Sequence, residues 1–120
     1  MARILVIDDE ANVRAMIERV LKSAGHKVVL AADGLEGVRR YQAVPADLVI
    51  TDIFMPDQDG VETIMQFRKL FPEVPVIAMT GNREGDMLAV AKRLGEVAVL
   101  EKPFANQALL SAVEIGRAHV

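Results

Sequence analysis

The chain has 120 residues, no cysteine and a net charge of −3, with 52% apolar and 26% charged residues. These values suit one soluble globular domain with its own core. They exclude a disulfide framework and a thiolate metal site, and they argue against nucleic acid as a direct partner, because phosphate contacts need a basic face. Arg3 is followed only by a short apolar run that meets Asp8, so the amino terminus is no signal peptide. No apolar stretch approaches the roughly 20 residues of a membrane span. The expected setting is cytoplasmic, with no membrane association.

Two periodicities alternate along the chain. Ile4–Ile7, Val28–Ala31, Leu48–Thr51, Val74–Met79 and Val97–Leu100 are short apolar runs rich in β-branched residues. Continuous apolarity of this kind marks strands buried on both faces. Between the runs lie helical patterns. Val13, Met16, Ile17, Val20 and Leu21 form the first stripe, which Gly25 should stop. Asp33 is placed to cap a second helix carrying Leu35 and Val38. Val61, Ile64, Phe67 and Phe71 mark a third, ended by Pro72. Met87, Val90, Ala91 and Leu94 mark a fourth, ended by Gly95, and Leu109, Leu110 and Val113 a fifth. The expectation is a (βα)5 α/β domain spanning residues 1–120, a doubly wound five-stranded parallel sheet of flavodoxin-like type with strand order 2-1-3-4-5. No repeat, low-complexity tract or interdomain linker interrupts it.

Each of four strands ends in a polar group: Asp8-Asp9, Asp52, Thr80 and Lys102. In an open parallel sheet the carboxyl ends of the strands share one edge, and ligands bind there at the switch point between the first and third strands. Residues from 8 to 102 should therefore converge. Three crowded carboxylates repel: one pair at about 4 Å costs roughly 4 kcal/mol at an effective dielectric of 20. A divalent cation such as Mg²⁺, which takes carboxylate, water and phosphate oxygens, removes that cost. The competing reading, that Asp8, Asp9 and Glu10 merely cap the first helix, suits Asp9 or Glu10 alone but not the pair together with Asp52.

Asp52 is the candidate nucleophile, since carboxylates form acyl phosphates and phosphoryl transfer needs mainly positioning and charge neutralisation. Phe54-Met55-Pro56-Asp57-Gln58-Asp59-Gly60 is a turn-rich loop whose backbone offers a carbonyl to the metal. The Thr80 hydroxyl is suited to a phosphoryl oxygen, and so is the compact Lys102 ammonium. His26 and His119 are read as surface residues. Met16, Met65, Met79 and Met87 are read as core filler, and Arg39-Arg40, Arg68-Lys69 and Lys92-Arg93 as solvated helix faces.

Ile7-Asp8-Asp9, Asp52-Ile-Phe-Met-Pro56 continuing to Asp59-Gly60, Thr80-Gly81 and Lys102-Pro103-Phe104 together resemble the receiver domain of two-component response regulators over essentially the whole chain. The resemblance implies that Asp52 accepts a phosphoryl group from a phosphohistidine on a sensor histidine kinase or a histidine phosphotransfer protein. It implies direct Mg²⁺ ligation by Asp9 and Asp52, with Asp8 acting through water and Phe54 through its main-chain carbonyl. Lys102 would pair with the phosphoryl oxygens, and the Lys102-Pro103 bond would be cis. Thr80 would move toward the phosphoryl group with loop 81–85. The surface altered would be the fourth helix, fifth strand and fifth helix, where members bind a downstream effector or dimerise, so a monomer or a phosphorylation-dependent homodimer is implied. Such a domain is a phosphoacceptor that assists its own phosphorylation and dephosphorylation rather than an enzyme.

Two positions depart from the family pattern. Val99 stands three residues before Lys102, where a Tyr or Phe rotamer switch is usual, so output must rely on Thr80 and backbone movement. Phe54 stands two residues after Asp52, where smaller or polar groups are common, and a ring there would obstruct an attacking water, giving slow self-dephosphorylation. Two other functions compete. One is an aspartyl-nucleophile phosphatase, which the sequence Asp8-Asp9-Glu10-Ala11-Asn12 and the lack of length for a substrate cap disfavour. The other is an unphosphorylated interaction module, which the complete set of charged site residues disfavours and Val99 favours.

Overall fold

The computed structural model describes residues 1–53, 60–81 and 98–118, with the side chains of residues 60 and 61 outside that set. The apolar runs form β1 (Arg3–Ile7), β2 (Lys27–Ala31), β3 (Leu48–Asp52), β4 (Val76–Thr80) and β5 (Ala98–Glu101). The described helices are α1 (Ala11–Ser23), α2 (Gly34–Ala43), α3 (Gly60–Leu70) and α4 (Asn106–Arg117). The helix expected at 87–94 lies outside the described residues, and the expected fifth helix is α4. All strand pairs are parallel, and the sheet order is β2-β1-β3-β4-β5. Among the described residues no helix is long and apolar enough to cross a membrane.

Every residue of β3 and β4 is buried, the physical reason their sequences are continuous rather than alternating. Alternation instead sorts the strand residues between two cores. Leu5, Ile7, Val49, Val76 and Ala78 pack with Val38 and Tyr41 of α2 and Ile64 and Phe67 of α3. Ile4, Val6, Leu48, Ile50, Ile77, Met79 and Leu100 pack with Ile17, Val20 and Leu21 of α1 and Leu109, Ala112 and Val113 of α4. The first core carries an aromatic cluster in which the Tyr41 and Phe67 rings meet edge to face at 5.7 Å and Phe71 lies 4.3 Å from Tyr41.

Helix ends follow local chemistry. Gly25 takes φ 92°, which lets α1 close with Gly25 N–H on the Lys22 carbonyl at 3.0 Å and His26 N–H on the Leu21 carbonyl at 3.1 Å. Asp33 caps α2 as expected, its Oδ1 accepting from Glu36 N–H at 2.8 Å, while Glu36 Oε1 accepts from Ala32 N–H at 2.7 Å.

Several side-chain expectations require correction. Leu35 is 55% exposed, because α2 turns Gly34, Gly37, Val38 and Tyr41 toward the sheet. That i, i+3, i+4, i+7 stripe is half glycine. A Cβ on Gly37 would lie 2.9 Å from Ile7 Cγ1, so the helix sits closer to β1 than a larger residue permits. Met65 is 55% exposed, one helical step away from the Ile64 and Phe67 that face the core, and so is not filler. Met16 is half-buried and Met79 fully buried, while Met87 lies outside the described residues. His26 is buried, not on the surface: its Nδ1 accepts the Ala2 N–H at 3.1 Å. Arg68 is only partly solvated, with Nη1 on the Val74 carbonyl at 3.4 Å and Nε and Nη2 buried without a hydrogen-bond partner among the described residues.

Candidate functional site

Strand register brings the polar ends together. Ile7 pairs with Thr51, which sets the next residues, Asp8 and Asp52, level at the carboxyl edge of the two central strands. Asp52 pairs with Met79, and Met79 with Leu100, so Lys102 lies two residues beyond that row. Two residues is one full pleat, so Asp8, Asp52 and Lys102 follow Val6, Ile50 and Leu100 on the α1/α4 side of the sheet. Thr80 and Val99 have the opposite parity, that of Ala78, and Val99 packs against the α2/α3 core. The site is thus split by the pleat: the charged groups stand on one side and the hydroxyl on the other.

Lys102 ties the charged groups together. Its Nζ donates to Asp8 Oδ2 at 2.7 Å and to Asp52 Oδ2 at 3.0 Å, with Glu10 Oε1 at 3.7 Å. Both aspartates are buried, and buried carboxylates persist only when paired. Burial by itself draws the Lys102 pKa down, but hydrogen bonds and charges from Asp8 and Asp52 outweigh it and hold the ammonium above its ordinary value. The Lys102 backbone is fixed by its N–H on the Thr80 carbonyl at 2.7 Å, and the Lys102-Pro103 bond is cis. Asp8 is also held at its other polar atoms. Its Oδ1 accepts Glu10 N–H at 2.9 Å, its own N–H donates to the Ala31 carbonyl at 3.1 Å, and its carbonyl accepts Arg14 Nη1 at 2.7 Å.

A second grouping lies beside this bridge. Asp8, Asp9 and Glu10 each offer a carboxylate oxygen within 4.8 Å of the others. Burial and the charges of Asp8 and Glu10 raise the Asp9 pKa, with its own backbone hydrogen bond and Lys102 opposing. Charge of one sign is therefore in excess, and a cation would relieve it. The donor set is all oxygen, as Mg²⁺ or Ca²⁺ prefer. The ammonium between Asp8 and Asp52 shows that this edge already accommodates one positive charge. The residues fit a hard divalent cation.

Of the residues singled out in the sequence, Asp8, Asp9, Asp52, Thr80 and Lys102 come to the one carboxyl edge, while Phe54 lies outside the described residues. The acids fall into two sets, Asp8-Lys102-Asp52 and Asp8-Asp9-Glu10, sharing Asp8. Glu10 and Arg14 join the site unannounced. Glu10 is the N-cap residue of α1, yet its side chain makes no capping bond and turns to Lys102. Its place directly after the acid pair was the signal available.

The model of the response regulator receiver domain family matches residues 4–114. The chain is 34% identical over 115 residues to a chemotaxis protein CheY of Listeria monocytogenes, covering 95% of this chain and 97% of that protein. It is 30% identical over 112 residues to sporulation initiation phosphotransferase F of Bacillus subtilis, covering 93% and 90%. Among solved structures, a response regulator receiver domain protein from Clostridium thermocellum superposes with a TM-score of 0.91 at 32% identity, covering 98% of this chain and 95% of that one. Fold, edge geometry and these similarities agree: the chain belongs to the receiver-domain family of two-component response regulators, whose members are phosphoacceptors.

Proposed function

We propose that residues 1–120 act as a single receiver domain in which Asp52 accepts a phosphoryl group from a phosphohistidine of a sensor histidine kinase or a histidine phosphotransfer protein. A carboxylate oxygen of Asp52 bonds to phosphorus, the P–N bond breaks, and its electron pair stays on the imidazole nitrogen. The observation that carries this reading is the Lys102 bridge between Asp8 and Asp52, at 2.7 and 3.0 Å, on the carboxyl edge of the central strands. It pairs a buried carboxylate with a cation and keeps an ammonium beside the place where phosphoryl oxygens would arrive. Similarity to a protein named a phosphotransferase supports a phosphorelay setting.

Asp8, Asp9, Asp52 and the Phe54 main-chain carbonyl would hold Mg²⁺, which when bound neutralises charge on the phosphoryl oxygens. Lys102 exchanges a carboxylate partner for a phosphoryl oxygen, and the Thr80 hydroxyl is drawn to the same group from the other side of the pleat. That displacement alters loop 81–85 and the surface formed by the segment after it, β5 and α4, which would meet a downstream effector or a second copy of the chain. Val99 has no ring to rotate, so the message passes through Thr80 and the backbone.

Intact mass after incubation with Mg²⁺ and acetyl phosphate tests this. One phosphoryl adduct, dependent on Mg²⁺ and missing in Asp52→Asn, is expected. An adduct that survives Asp52→Asn contradicts the assignment of the acceptor.

A further inference from the structure

Among the described residues Glu10 is the one carboxylate reaching Lys102 that faces solvent: its side chain is 63% exposed, against 0% for Asp8 and 5% for Asp52. The helix does not use it, since the Glu10 side chain makes no capping bond to α1. It stands 3.7 Å from Lys102 Nζ and within 4.8 Å of the Asp8 and Asp9 oxygens. One exposed anion thus touches both halves of the site, the lysine and the acid pair.

We propose that Glu10 is a positioning residue that sets the charge at the mouth of this edge. It strengthens attraction for a divalent cation, and it competes for Lys102 with the oxygens of any incoming anionic phosphodonor. The second half rests on Asp52 being the acceptor; the first does not. A cation gains from each added carboxylate nearby. A free donor carrying two negative charges is repelled by the same carboxylate and must also draw the ammonium away from it. Both effects act across water and are screened by salt, with a Debye length of about 10 Å at 0.1 M. The consequence is selectivity: small anionic donors are held back, whereas a docking protein brings compensating contacts of its own.

The test uses the full chain and its Glu10→Gln and Glu10→Asp variants, compared first by circular dichroism. Calorimetric titration of the metal-free proteins with Mg²⁺ is run at low ionic strength and at about 0.5 M salt. Glu10→Gln should weaken Mg²⁺ binding roughly 3- to 10-fold at low ionic strength, and the deficit should shrink at high salt. At saturating Mg²⁺ the adduct from acetyl phosphate should form faster in Glu10→Gln by a similar factor, with Glu10→Asp nearer wild type in cation affinity because the charge remains. A Gln variant that binds Mg²⁺ as wild type does, or whose adduct forms no faster, overturns the proposal. The titration does not pass through phosphoryl transfer, so failure of the acceptor reading shows separately, as a missing adduct in the wild-type chain.

Discussion

At the carboxyl end of the sheet, Asp8 and Asp52 are buried and share the Lys102 ammonium. At the amino end the chain is closed largely by neutral groups: Ala2 N–H on His26 Nδ1 at 3.1 Å and Lys27 N–H on the Ala2 carbonyl at 2.9 Å, with Arg3 N–H on the Asp47 carboxylate at 2.9 Å nearer solvent. Burial acts on both ends with different results. The Lys102 ammonium is kept by its acid partners, whereas burial, Arg117 and the terminal amine lower the His26 pKa, with Glu114 opposing, and favour neutral imidazole. Buried charge is thus concentrated at the carboxyl edge, whereas the buried imidazole at the amino edge is favoured in its neutral form.

The largest expected effect breaks the charged end. Lys102→Met leaves two buried carboxylates without their cation and should destabilise the metal-free protein by about 3 kcal/mol in urea unfolding. Mg²⁺ should restore part of the loss in this variant. Destabilisation that Mg²⁺ leaves untouched would mean the lysine acts by packing alone. Next in size, Mg²⁺ at a hundred times its dissociation constant should stabilise the wild-type chain by about 2.7 kcal/mol, raising Tm. Asp9→Asn should remove most of that gain, and chelation should reverse it.

The amino end should respond to pH and not to metal. The folded-state pKa of His26 lies below its ordinary value, so protonation favours the unfolded chain. Its contribution is fully present above about pH 6.5 and is lost as pH falls through the folded-state value. His26→Asn, which keeps an acceptor for Ala2 N–H without titrating near neutrality, should flatten that part of the stability profile relative to wild type. An unchanged profile would show that this pH dependence does not come from His26. The smallest effect belongs to Arg68, whose Nε and Nη2 are buried without partners among the described residues. Arg68→Met should be neutral or stabilising by less than about 1 kcal/mol, since it removes desolvated donors and keeps the apolar stem.

The sequence was most legible where burial is symmetric. β1, β3 and β4 are covered on both faces, so apolarity itself marked them, and the residue ending each run marked the edge. β4 starts at Val76 rather than Val74, a boundary that continuous apolarity does not define. The inward face of α2 was obscured because two of its four buried positions are glycines, one of which, Gly37, lies too close to Ile7 to carry a side chain. His26 was obscured because its partner is a backbone N–H 24 positions away, and no side-chain pattern encodes that contact. At the site, the residue types at the strand ends were readable because parallel register makes them converge. The sharing of Lys102 with Glu10 was not readable, since it depends on how a side chain turns after an unused N-cap.

The most direct test of the central claim is to locate the phosphoryl group chemically. Borohydride reduces an acyl phosphate to the alcohol and leaves phosphoesters of threonine and serine intact. After treatment with acetyl phosphate and Mg²⁺, then borohydride, peptide mass mapping should find homoserine in place of Asp52 and nowhere else. Phosphate persisting on Thr51, Thr63 or Thr80, or reduction at Asp8 or Asp9 instead, would contradict the account.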